Sequence, residues 1–349
     1  MRIAQVAPLY ESVPPKLYGG TERVVYYLTE CLVQQGHDVT LFASGDSSTS
    51  ATLIPCCPKA LRLGNSLLPT AHHIVMLEQV CQMADEFDIV HFHCDFLHFP
   101  VSRRQNTPHV TTLHGRLDIA DLVPLYEEFR DVPVISISHS QRTPLPWINW
   151  QGTVYHGLPQ QLYRAGSGEG NYFAVIGRIS PEKRVDRAIE IARRTGIPLK
   201  IAAKVDPADQ EYFRVHIRPL LDGPGVEFIG EIGDREKGDF LGKARALLFP
   251  IDWPEPFGLV MIEALACGTP VIAWNCGSVP EIIADGETGF IVNSMDEALD
   301  AVENLDRIDR RQCRRTFESR FSVERMAADY LAIYSRLQKF WSLPVAIGE

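Results

Sequence analysis

The chain has 349 residues, of which 45% are hydrophobic and 22% charged, and its formal net charge is -10. This acidic balance argues against nucleic acid as a partner and against broad electrostatic docking on anionic lipid, although peripheral membrane contact through a local basic patch stays open. No apolar run reaches the ~18 residues of a membrane-spanning helix, and the length favours two domains.

Short β-rich runs alternate with amphipathic stretches along the whole chain. The runs that predict strands are RIAQVAP, DVTLFAS, DIVHFH, HVTTLH, PVISIS and GTVYH, followed by FAVIG, PLKIAA, VEFIG, RALLFP, PVIAW and GFIV. Apolar strands that alternate with helices predict parallel sheets covered on both faces. We therefore expect an α/β protein with two Rossmann-like, doubly wound domains that bind ligand at the carboxyl ends of their strands and face each other across a cleft.

The stretch LYRAGSGEGN, residues 162–171, interrupts this alternation and predicts an interdomain linker. We therefore expect an N-terminal domain over residues 1–165 and a C-terminal domain over residues 166–325. The remaining residues, 326–349, predict a helix that caps the second domain or crosses back to the first. The arginine-rich run RRQCRR, residues 310–315, is most simply a solvated helix face.

The eight cysteines show no CxxC pair and no spacing typical of a disulfide framework. Several lie within apolar runs, as small buried thiols do. We therefore expect a reducing, cytoplasmic setting. The segment RIAQVAP at the start of the sequence predicts a first strand rather than a signal peptide.

Gly19 and Gly20 follow the first predicted strand and open a helix through Thr21 and Glu22. A glycine pair at this place lets backbone N–H groups approach an anion at a helix N-terminus, and a plain tight turn is the alternative. Neither this pair nor GSGEGN in the linker fits GxGxxG, so a dinucleotide-dependent dehydrogenase is disfavoured.

The stretch GRISPEK, residues 177–183, follows the first strand of the second half. Arg178 leaves the strand end, and Lys183 is expected in the first turn of the next helix, where a cation opposes the helix dipole. That placement is favourable if a diphosphate lies between the Lys183 cation and the helix N-terminus, because Arg178 and Lys183 together can neutralise such a group. Solvated surface charge is the alternative.

Histidines end two predicted strands of the first half. His114 in THG suits a proton carrier or a hydrogen-bond donor to a sugar hydroxyl, and equally a structural histidine. In HFHCDFLH, His91 and His93 share one strand face and Asp95 follows. A third ligand with its own spacing is missing, which disfavours a metal site. The chain also contains no DxD for a metal-bound diphosphate.

Two glutamates bracket the apolar run EPFGLVMIE. Pro256 disfavours the α region for Glu255 and places it in a loop, whereas LVMIEALAC predicts a helix from Gly258 to a stop at Gly268. At about 1.5 Å per helical residue, the carboxylate of Glu263 lies roughly 10 Å or more from the first one. A glycosidase pair needs roughly 5 to 9.5 Å, so the spacing suits two ends of one elongated ligand. A solvated glutamate and an amphipathic-helix glutamate are the alternative.

These motifs occur in a familiar order. The glycine pair, GR-x4-K at 177–183, E-x7-E at 255–263, then CGTPVIA, GSVPEII and DGETGFIV resemble the retaining glycosyltransferases of family 4, which have the GT-B fold. The resemblance runs from VAPLYESVPPKLYGGTERVV to the terminal helices and is most specific over residues 245–292. Two departures, HGL at 156–158 instead of the usual HNG and Cys276-Gly277-Ser278 instead of two glycines, leave base and sugar selectivity open.

The resemblance implies a metal-independent hexosyltransferase without a cofactor, which uses a nucleoside diphosphate sugar, first of all UDP-glucose. The acceptor is a hydroxyl of a sugar, a lipid-linked or a small molecule that the sequence does not name. By the same resemblance Glu255 holds donor-sugar hydroxyls, and Phe257, Gly258 and Leu259 present backbone N–H groups to the sugar. Glu263 binds the ribose hydroxyls.

For the diphosphate, the resemblance implies binding by Arg178 and Lys183, joined by the amides of Gly19 and Gly20. His114 contacts the donor sugar near the acceptor. Catalysis then rests on these two cations, His114 and Glu255, because positive groups stabilise the charge that develops on the leaving diphosphate. Two other classes stay open: an epimerase of the same fold that uses carboxylates as acid and base, and a non-catalytic nucleotide-sugar-binding protein.

Overall fold

The structure is a computed structural model that describes residues 1–16, 19–62, 64 and 66–341. The chain divides into two compact units: unit 1 comprises Met1–Gly157 and the chain from Val323 onward, and unit 2 comprises Leu158–Ser322. The divisions therefore fall after residues 157 and 322, rather than after 165 and 325 as the sequence indicated. The segment after Gly157 belongs to unit 2 because the Leu158 amide donates to the Phe321 carbonyl at 2.9 Å.

Unit 1 is built on a single parallel sheet. Its strands are β1 (Arg2–Val6), β2 (Asp38–Ser44), β3 (Thr52–Cys57), β4 (Ile89–Phe92), β5 (His109–Thr112), β6 (Val134–Ser136) and β7 (Trp150–Thr153). They are arranged in the order β3-β2-β1-β4-β5-β6-β7, and every pairing is parallel. The sequence missed β3, because Pro55 interrupts its strand pattern. An edge strand tolerates that proline since one side needs no ladder partner.

Helices follow the strands of unit 1 as the alternating pattern predicts. They are α1 (Gly20–Gln34), α2 (Pro69–Gln82), α3 (Phe99–Ser102) and α4 (Leu122–Glu128). Helix α1 buries Val24, Val25, Leu28 and Leu32, which recur at the helical spacing that marks one apolar face. The winding of the sheet reverses between β1 and β4, which is where doubly wound sheets open a crevice at their carboxyl edge.

Unit 2 has a parallel sheet of its own. Its strands are β8 (Phe173–Arg178), β9 (Leu199–Lys204), β10 (Val226–Phe228), β11 (Ala246–Phe249), β12 (Val271–Trp274) and β13 (Gly289–Val292). Their order is β10-β9-β8-β11-β12-β13, with the winding reversed between β8 and β11. All six strands expected in the second half are present.

Unit 2 also contains most of the remaining helices. They are α5 (Val185–Thr195), α6 (Gln210–Tyr212), α7 (Arg218–Leu221), α8 (Asp234–Lys243), α9 (Leu259–Ala266), α10 (Val279–Ile282), α11 (Met295–Glu303) and α12 (Arg310–Arg320). Ile189 of α5 packs with Val175, Ile201 and Leu248 in the buried core of the sheet. The α/β fold with two parallel, doubly wound sheets is thus confirmed.

Arg310 and Arg314 of α12 are not part of the solvated face that the sequence indicated, whereas Arg311 and Arg315 are exposed as expected. Arg310 donates to the carbonyl oxygens of Gly242 and Ala244, each at 3.0 Å, and to that of Gly166 at 3.1 Å. Arg314 donates to the carbonyl of Ala266, the last residue of α9, at 2.7 Å. Both cations therefore satisfy carbonyls at helix C-termini, where positive charge is favourable.

The last helix, α13 (Val323–Trp341), begins three residues before the predicted start at 326 and lies in unit 1. It buries Met326, Tyr330, Tyr334 and Leu337, and Val323 accepts a weak bond from the thiol of Cys31 in α1. Residues 342–349 of the predicted helix, like Leu17 and Tyr18 in the segment before α1, lie outside the described residues.

Two further features of the described residues concern membrane-spanning helices and the state of the cysteines. None of their helices combines the length and hydrophobicity needed to cross a bilayer. All eight cysteines lie within the described residues and are free, and six of them are buried. Burial raises the pKa of the Cys56 and Cys267 thiols to about 12, which keeps these thiols protonated and unreactive at neutral pH.

Candidate functional site

The charged motifs of unit 2 meet at the carboxyl edge of its sheet. Arg178 is the last residue of β8, and Lys183 ends a short 3-10 turn, Pro181–Lys183. The loop after β11, which carries Glu255, is tied to this turn because the Asp252 amide donates to the Glu182 carbonyl at 2.8 Å. The two motifs flank the point between β8 and β11 where the winding reverses, which is the usual ligand position in such sheets.

Lys183 and Glu255 form an ion pair in which the ammonium group donates to Glu255 Oε2. The two side chains are 22% and 13% exposed. The ammonium group also lies 5.0 Å from the ring centre of Trp253 and 5.7 Å from that of Phe249. Partial burial against aromatic faces strengthens the attraction between cation and carboxylate. Neither residue is therefore the solvated surface charge of the alternative interpretation.

The expected position of Lys183 in the first turn of a helix is wrong. Arg184 has a left-handed backbone, with φ of 48°, and separates the 3-10 turn from α5, which starts at Val185. Lys183 therefore lies two residues before the start of α5 rather than within its first turn.

Arg178 is surrounded by carboxylates. Its Nη2 donates to Glu182 Oε1 at 2.6 Å, while Nη1 lies 3.8 Å from Asp206 Oδ2 and Nε 3.6 Å from Asp209 Oδ2. Burial raises the pKa of Glu182, but hydrogen bonds from its own backbone, Ser180 and Arg178 outweigh burial and hold the pKa below its ordinary value. A phosphate that binds this guanidinium must therefore compete with these carboxyl groups.

The loop with Glu255 is clamped by the turn after β12, which the sequence argument did not use. Gly277 has φ of 58°, and a Cβ there would lie 2.4 Å from the backbone N and O of Glu255. Ser278 donates its amide to the Glu255 carbonyl at 3.0 Å and its hydroxyl to the Phe257 carbonyl at 2.7 Å. The departure from the family pattern at Cys276-Gly277-Ser278 thus keeps the glycine that the close backbone approach requires.

Helix α9 presents its N-terminus directly after this loop. Gly258 has φ of 78°, a left-handed conformation that favours glycine. The helix starts at Leu259, and the amide of Met261 makes the first backbone bond, to Gly258 O at 3.0 Å. The amides of Phe257, Gly258 and Leu259 precede that bond. Amides at a helix N-terminus are the groups to which polar and anionic ligands commonly bind.

Glu263 lies inside α9 and is only 3% exposed. Its Oε1 accepts a hydrogen bond from Lys237 of α8 at 2.8 Å, and the same ammonium group lies 3.5 Å from Asp234. Glu263 is therefore a buried, paired carboxylate rather than the outer face of an amphipathic helix. The sequence argument missed Lys237, which lies in a different helix and carries no motif that links it to Glu263.

Gly19 and Gly20 lie in unit 1 at the start of α1. A Cβ on Gly19 would come within 2.7 Å of Pro15 Cβ, so the turn has no space for a larger residue. The carboxyl group of Glu22 lies in the first turn of α1, and burial raises its pKa. Gly19 and Gly20 thus lie at a helix N-terminus, as the sequence indicated.

His114 lies beyond the end of β5 in unit 1. Its Nε2 is 2.8 Å from His93 Nδ1, and its ring stacks on that of His156 with centres 5.3 Å apart. Burial lowers the pKa of His114 to about 3, so the ring is neutral at pH 7. A neutral ring can form directional hydrogen bonds to a hydroxyl.

The histidines of HFHCDFLH are engaged with other side chains. His91 uses both ring nitrogens, with Tyr334 and Thr112 as partners, and His93 uses both with His114 and Gln5. Across the residues that the structure describes, no group of three or more His, Cys, Asp or Glu side chains is arranged to hold a metal ion. The metal interpretation of this motif therefore has no structural support.

The predicted residues thus fall into two groups. Arg178, Lys183 and Glu255 come together at one sheet edge of unit 2, next to the N-terminus of α9 that leads to Glu263. Gly19, Gly20 and His114 belong to unit 1.

Comparison with known proteins identifies a glycosyltransferase family model over each half of the chain. The family model described as "Glycosyltransferase Family 4" matches residues 18–158, and the one described as "Glycosyl transferases group 1" matches residues 164–316. O-antigen chain mannosyltransferase C of Escherichia coli is 23% identical over an alignment that covers 95% of this chain and 98% of that protein.

Solved structures show the same architecture over the full length. A glycosyltransferase involved in avilamycin A biosynthesis is 25% identical, with a TM-score of 0.76 over 97% of this chain and 98% of its own. HepE from Anabaena, solved in complex with UDP and glucose, is 18% identical, with a TM-score of 0.74 over 96% and 100% of the two chains. The protein is therefore a glycosyltransferase of the GT-B fold and belongs to the family 4 type, with a family 4 model over its first half and a group 1 model over its second.

Proposed function

We propose that this glycosyltransferase is a retaining, metal-independent enzyme that moves a hexose from a nucleoside diphosphate sugar to a hydroxyl acceptor. The observation that carries the proposal is the pairing of each motif glutamate with a lysine, Glu255 with Lys183 and Glu263 with Lys237, in and beside the loop after β11. The two carboxylates lie on one helix and its preceding loop, and each has a cation from a neighbouring element; this arrangement suits a ligand with hydroxyls at both ends and a diphosphate between them.

The ribose end belongs to Glu263 in this proposal. Lys237 donates to Oε1 of its carboxyl group, and a carboxylate can accept hydrogen bonds at both oxygens. A pair of ribose hydroxyls offers two donors at matching separation. Because Glu263 is buried, each such bond forms away from competing water and contributes more than it would at the surface.

The diphosphate belongs to Lys183 and Arg178. In the free protein these cations are held by Glu255 and by Glu182, Asp206 and Asp209. A diphosphate carries more negative charge than one carboxylate, so it can take Lys183 away from Glu255 and leave that carboxylate to accept hydroxyls of the hexose. The two cations supply positive charge from the chain itself, which supports transfer without a metal.

The chemical step follows from that arrangement. The bond between the anomeric carbon and the diphosphate oxygen breaks, and negative charge accumulates on the leaving group beside Lys183 and Arg178. The acceptor hydroxyl attacks from the face that the diphosphate leaves, and its proton passes to the departing phosphate oxygen. The new glycosidic bond then keeps the configuration of the donor.

For the donor we propose UDP-glucose first. HepE, which has the same fold, was solved with UDP and glucose, and this supports a uridine nucleotide as the first choice. The acceptor is a hydroxyl on a sugar, a lipid-linked molecule or a small molecule.

A donor panel tests this proposal. UDP-, GDP- and ADP-hexoses are incubated with the protein, with and without a mixed pool of sugar acceptors, and nucleotide release and the anomeric configuration of the product are followed by NMR. We expect release of UDP and an α-linked product from an α-linked donor. Inversion of configuration would refute the retaining mechanism, and accumulation of an isomerised free sugar without transfer would identify an epimerase instead.

A further inference from the structure

Unit 1 contains a continuous chain of buried polar side chains. Its members come from strands β1, β4 and β5, from the residues just beyond these strands, and from α13. They are Gln5, His91, His93, Thr112, His114, Tyr330 and Tyr334. This chain of hydrogen-bonded side chains lies at the point between β1 and β4 where the sheet winding reverses.

One arm runs from His114 to α13. His114 Nε2 lies 2.8 Å from His93 Nδ1, and His93 Nε2 lies 2.8 Å from Gln5 Oε1. The amide Nε2 of Gln5 then donates to the hydroxyl oxygen of Tyr334 at 3.2 Å. Every link joins side chains that are buried or nearly so, so water does not compete for them.

The second arm returns from α13 to the sheet. The Tyr334 hydroxyl is 2.6 Å from His91 Nδ1, and His91 Nε2 is 2.7 Å from Thr112 Oγ1. Thr112 in turn donates its hydroxyl to the oxygen of Tyr330 at 3.1 Å. Gln5 therefore sits in the middle of a line with a histidine pair on one side and a tyrosine–histidine–threonine run on the other.

The chemistry of the Gln5 amide determines where the protons lie. All three histidines are neutral at pH 7, because burial lowers the pKa of His91 and His93 well below its ordinary value and that of His114 to about 3. A neutral imidazole has one donor nitrogen and one acceptor nitrogen. Since Gln5 Oε1 can only accept, His93 carries its proton on Nε2 and accepts at Nδ1, so His114 must donate from Nε2.

The hydrogen bonds of the second arm are donated in the same direction along the series. Gln5 Nε2 can only donate, so the Tyr334 oxygen accepts, and the Tyr334 hydroxyl proton goes to His91 Nδ1. His91 then donates from Nε2 to Thr112, which donates to Tyr330, as its geometry shows. All bonds run one way, and reversing one of them requires reversing all of them, because each neutral member must keep one donor and one acceptor.

The free end of this chain is His114 Nδ1. It is buried and has no hydrogen-bond partner among residues 1–16, 19–62, 64 and 66–341. Because buried polar atoms are almost always hydrogen-bonded, this nitrogen is a candidate acceptor for a group that the described residues do not supply.

We propose that Gln5, His93 and Tyr334 are positioning residues that hold His114 in its Nε2–H tautomer, so that Nδ1 accepts a hydrogen bond from a hydroxyl group of the bound sugar. His114 is then an acceptor and not the proton carrier or hydrogen-bond donor expected from sequence. The identity of the ligand rests on the proposed function, whereas the tautomer does not.

The tautomer is measured directly on the unliganded protein. Histidine labelled with ¹⁵N on both ring nitrogens gives distinct long-range ¹H–¹⁵N NMR patterns for the Nε2–H, Nδ1–H and charged forms, and single His→Asn variants assign the signals. We expect His91, His93 and His114 as neutral Nε2–H rings at pH 7. A His114 signal from Nδ1–H or from imidazolium at pH 7 overturns the proposal, whatever the enzyme's substrate.

A matched pair of variants tests whether Tyr334 of α13 controls the tautomer of His114. Tyr334→Phe and Tyr330→Phe each remove one hydroxyl from a buried tyrosine of the same helix, one turn apart. Tyr334→Phe deletes the acceptor that orients the Gln5 amide, so we expect both tautomers at His93 and His114 in comparable amounts. Tyr330→Phe leaves the Gln5–Tyr334 bond in place, so the single Nε2–H form persists. Identical His114 spectra in the two variants contradict the proposed role of Tyr334.

Steady-state kinetics extend the same comparison to the ligand. With thermal unfolding as a check of folding, we expect kcat/KM of Tyr334→Phe to fall about 3- to 10-fold below that of Tyr330→Phe, since part of the protein then carries the wrong tautomer. Equal kcat/KM values despite a mixed tautomer would overturn the hydroxyl contact at Nδ1. Absence of transfer in the wild-type protein itself would instead contradict the proposed function and leave the NMR result to decide the tautomer.

Discussion

The ammonium group of Lys237 lies 2.8 Å from Oε1 of Glu263, and these side chains are only 13% and 4% exposed. Lys237 belongs to α8 and Glu263 to α9, so the pair joins neighbouring helices of unit 2. Lys183, in the turn after β8, and Glu255, in the loop that precedes α9, form the second such pair. In the free protein, each glutamate of the E-x7-E motif thus has a cation of its own, and the proposed diphosphate binding displaces only the one on Glu255.

Glu263 and Glu255 are predicted to contribute to binding of different parts of the donor, the ribose and the hexose. Glu263→Gln should weaken free UDP and UDP-sugar alike by roughly 10-fold or more, because both ligands contain the ribose and a charged hydrogen bond contributes about 1.5 to 3 kcal/mol. Glu255→Gln should leave free UDP binding unchanged or tighter, since it releases Lys183, while transfer falls severely. Calorimetric titration with UDP and an unreactive donor analogue measures both, and thermal unfolding verifies the fold. Equal loss of UDP affinity in the two variants contradicts the assignment.

Arg178→Ala is expected to lower kcat/KM by roughly 10²-fold or more, because charge-assisted contacts to a developing anion contribute several kcal/mol. The variant also leaves Glu182, Asp206 and Asp209 without this cation, which adds repulsion toward a diphosphate. Arg214→Ala is the matched control, since Arg214 forms an exposed pair with Glu211 in the same unit. If the two variants turn over at similar rates, Arg178 has no part in phosphate binding.

Metal removal is expected to leave the reaction intact. The proposed charge stabilisation comes from Arg178 and Lys183, so activity should persist in excess EDTA and after passage over a chelating resin. Activity is compared before and after chelation, and again after addition of Mg²⁺ or Mn²⁺. A rate that collapses with EDTA and returns with either ion would require a different mechanism.

Arg310 is predicted to be a main stabilising residue of unit 2. Arg310→Met removes donors from the carbonyls of Gly166, Gly242 and Ala244, and leaving several such oxygens unpaired should cost roughly 3 kcal/mol or more. Arg311→Met, at the exposed neighbouring position, should change the free energy of unfolding by less than about 0.5 kcal/mol. Urea unfolding of both variants gives the comparison, and similar values would show that the carbonyl contacts contribute little.

Acid should destabilise unit 1 below about pH 6.5, the ordinary pKa of histidine. Burial lowers the pKa of a set of its histidines: His91, His93, His98, His114 and His156. As the pH falls below 6.5, the unfolded chain therefore binds protons that the folded chain does not, and the free energy of unfolding decreases.

Each such histidine contributes up to about 1.4 kcal/mol per pH unit. Burial also raises the pKa of Glu22, and that of Asp95 to about 6, and these two carboxyls act in the opposite direction. The histidines are more numerous, so the net slope should stay positive. Thermal unfolding at pH 7.5, 6.5 and 5.5 measures the slope, and a flat profile across this range would contradict the burial of neutral histidines.

Strand prediction succeeded where local pattern and tertiary role agree. The strands inside the sheet of unit 2 coincide with apolar runs between turn residues, because strands buried on both faces of a parallel sheet need continuous apolar sequence. The pattern failed at β3, where Pro55 is acceptable only because the strand lies at the sheet edge. It failed again at Lys183, since nothing local indicates that Arg184 adopts a left-handed backbone and delays the start of α5.

The sequence by itself determined the two parallel sheets, the glycosyltransferase family and the motif residues, because hydrophobic periodicity and motif spacing are properties of neighbours along the chain. Only the tertiary structure decided which distant side chains meet: Lys237 with Glu263, Arg310 with the carbonyls of α8, and Tyr334 with Gln5 and His91. These contacts depend on the register of parallel strands and on where each crossover helix returns. The contacts of Tyr334 join residues more than two hundred positions apart, and no local pattern records any of these pairings.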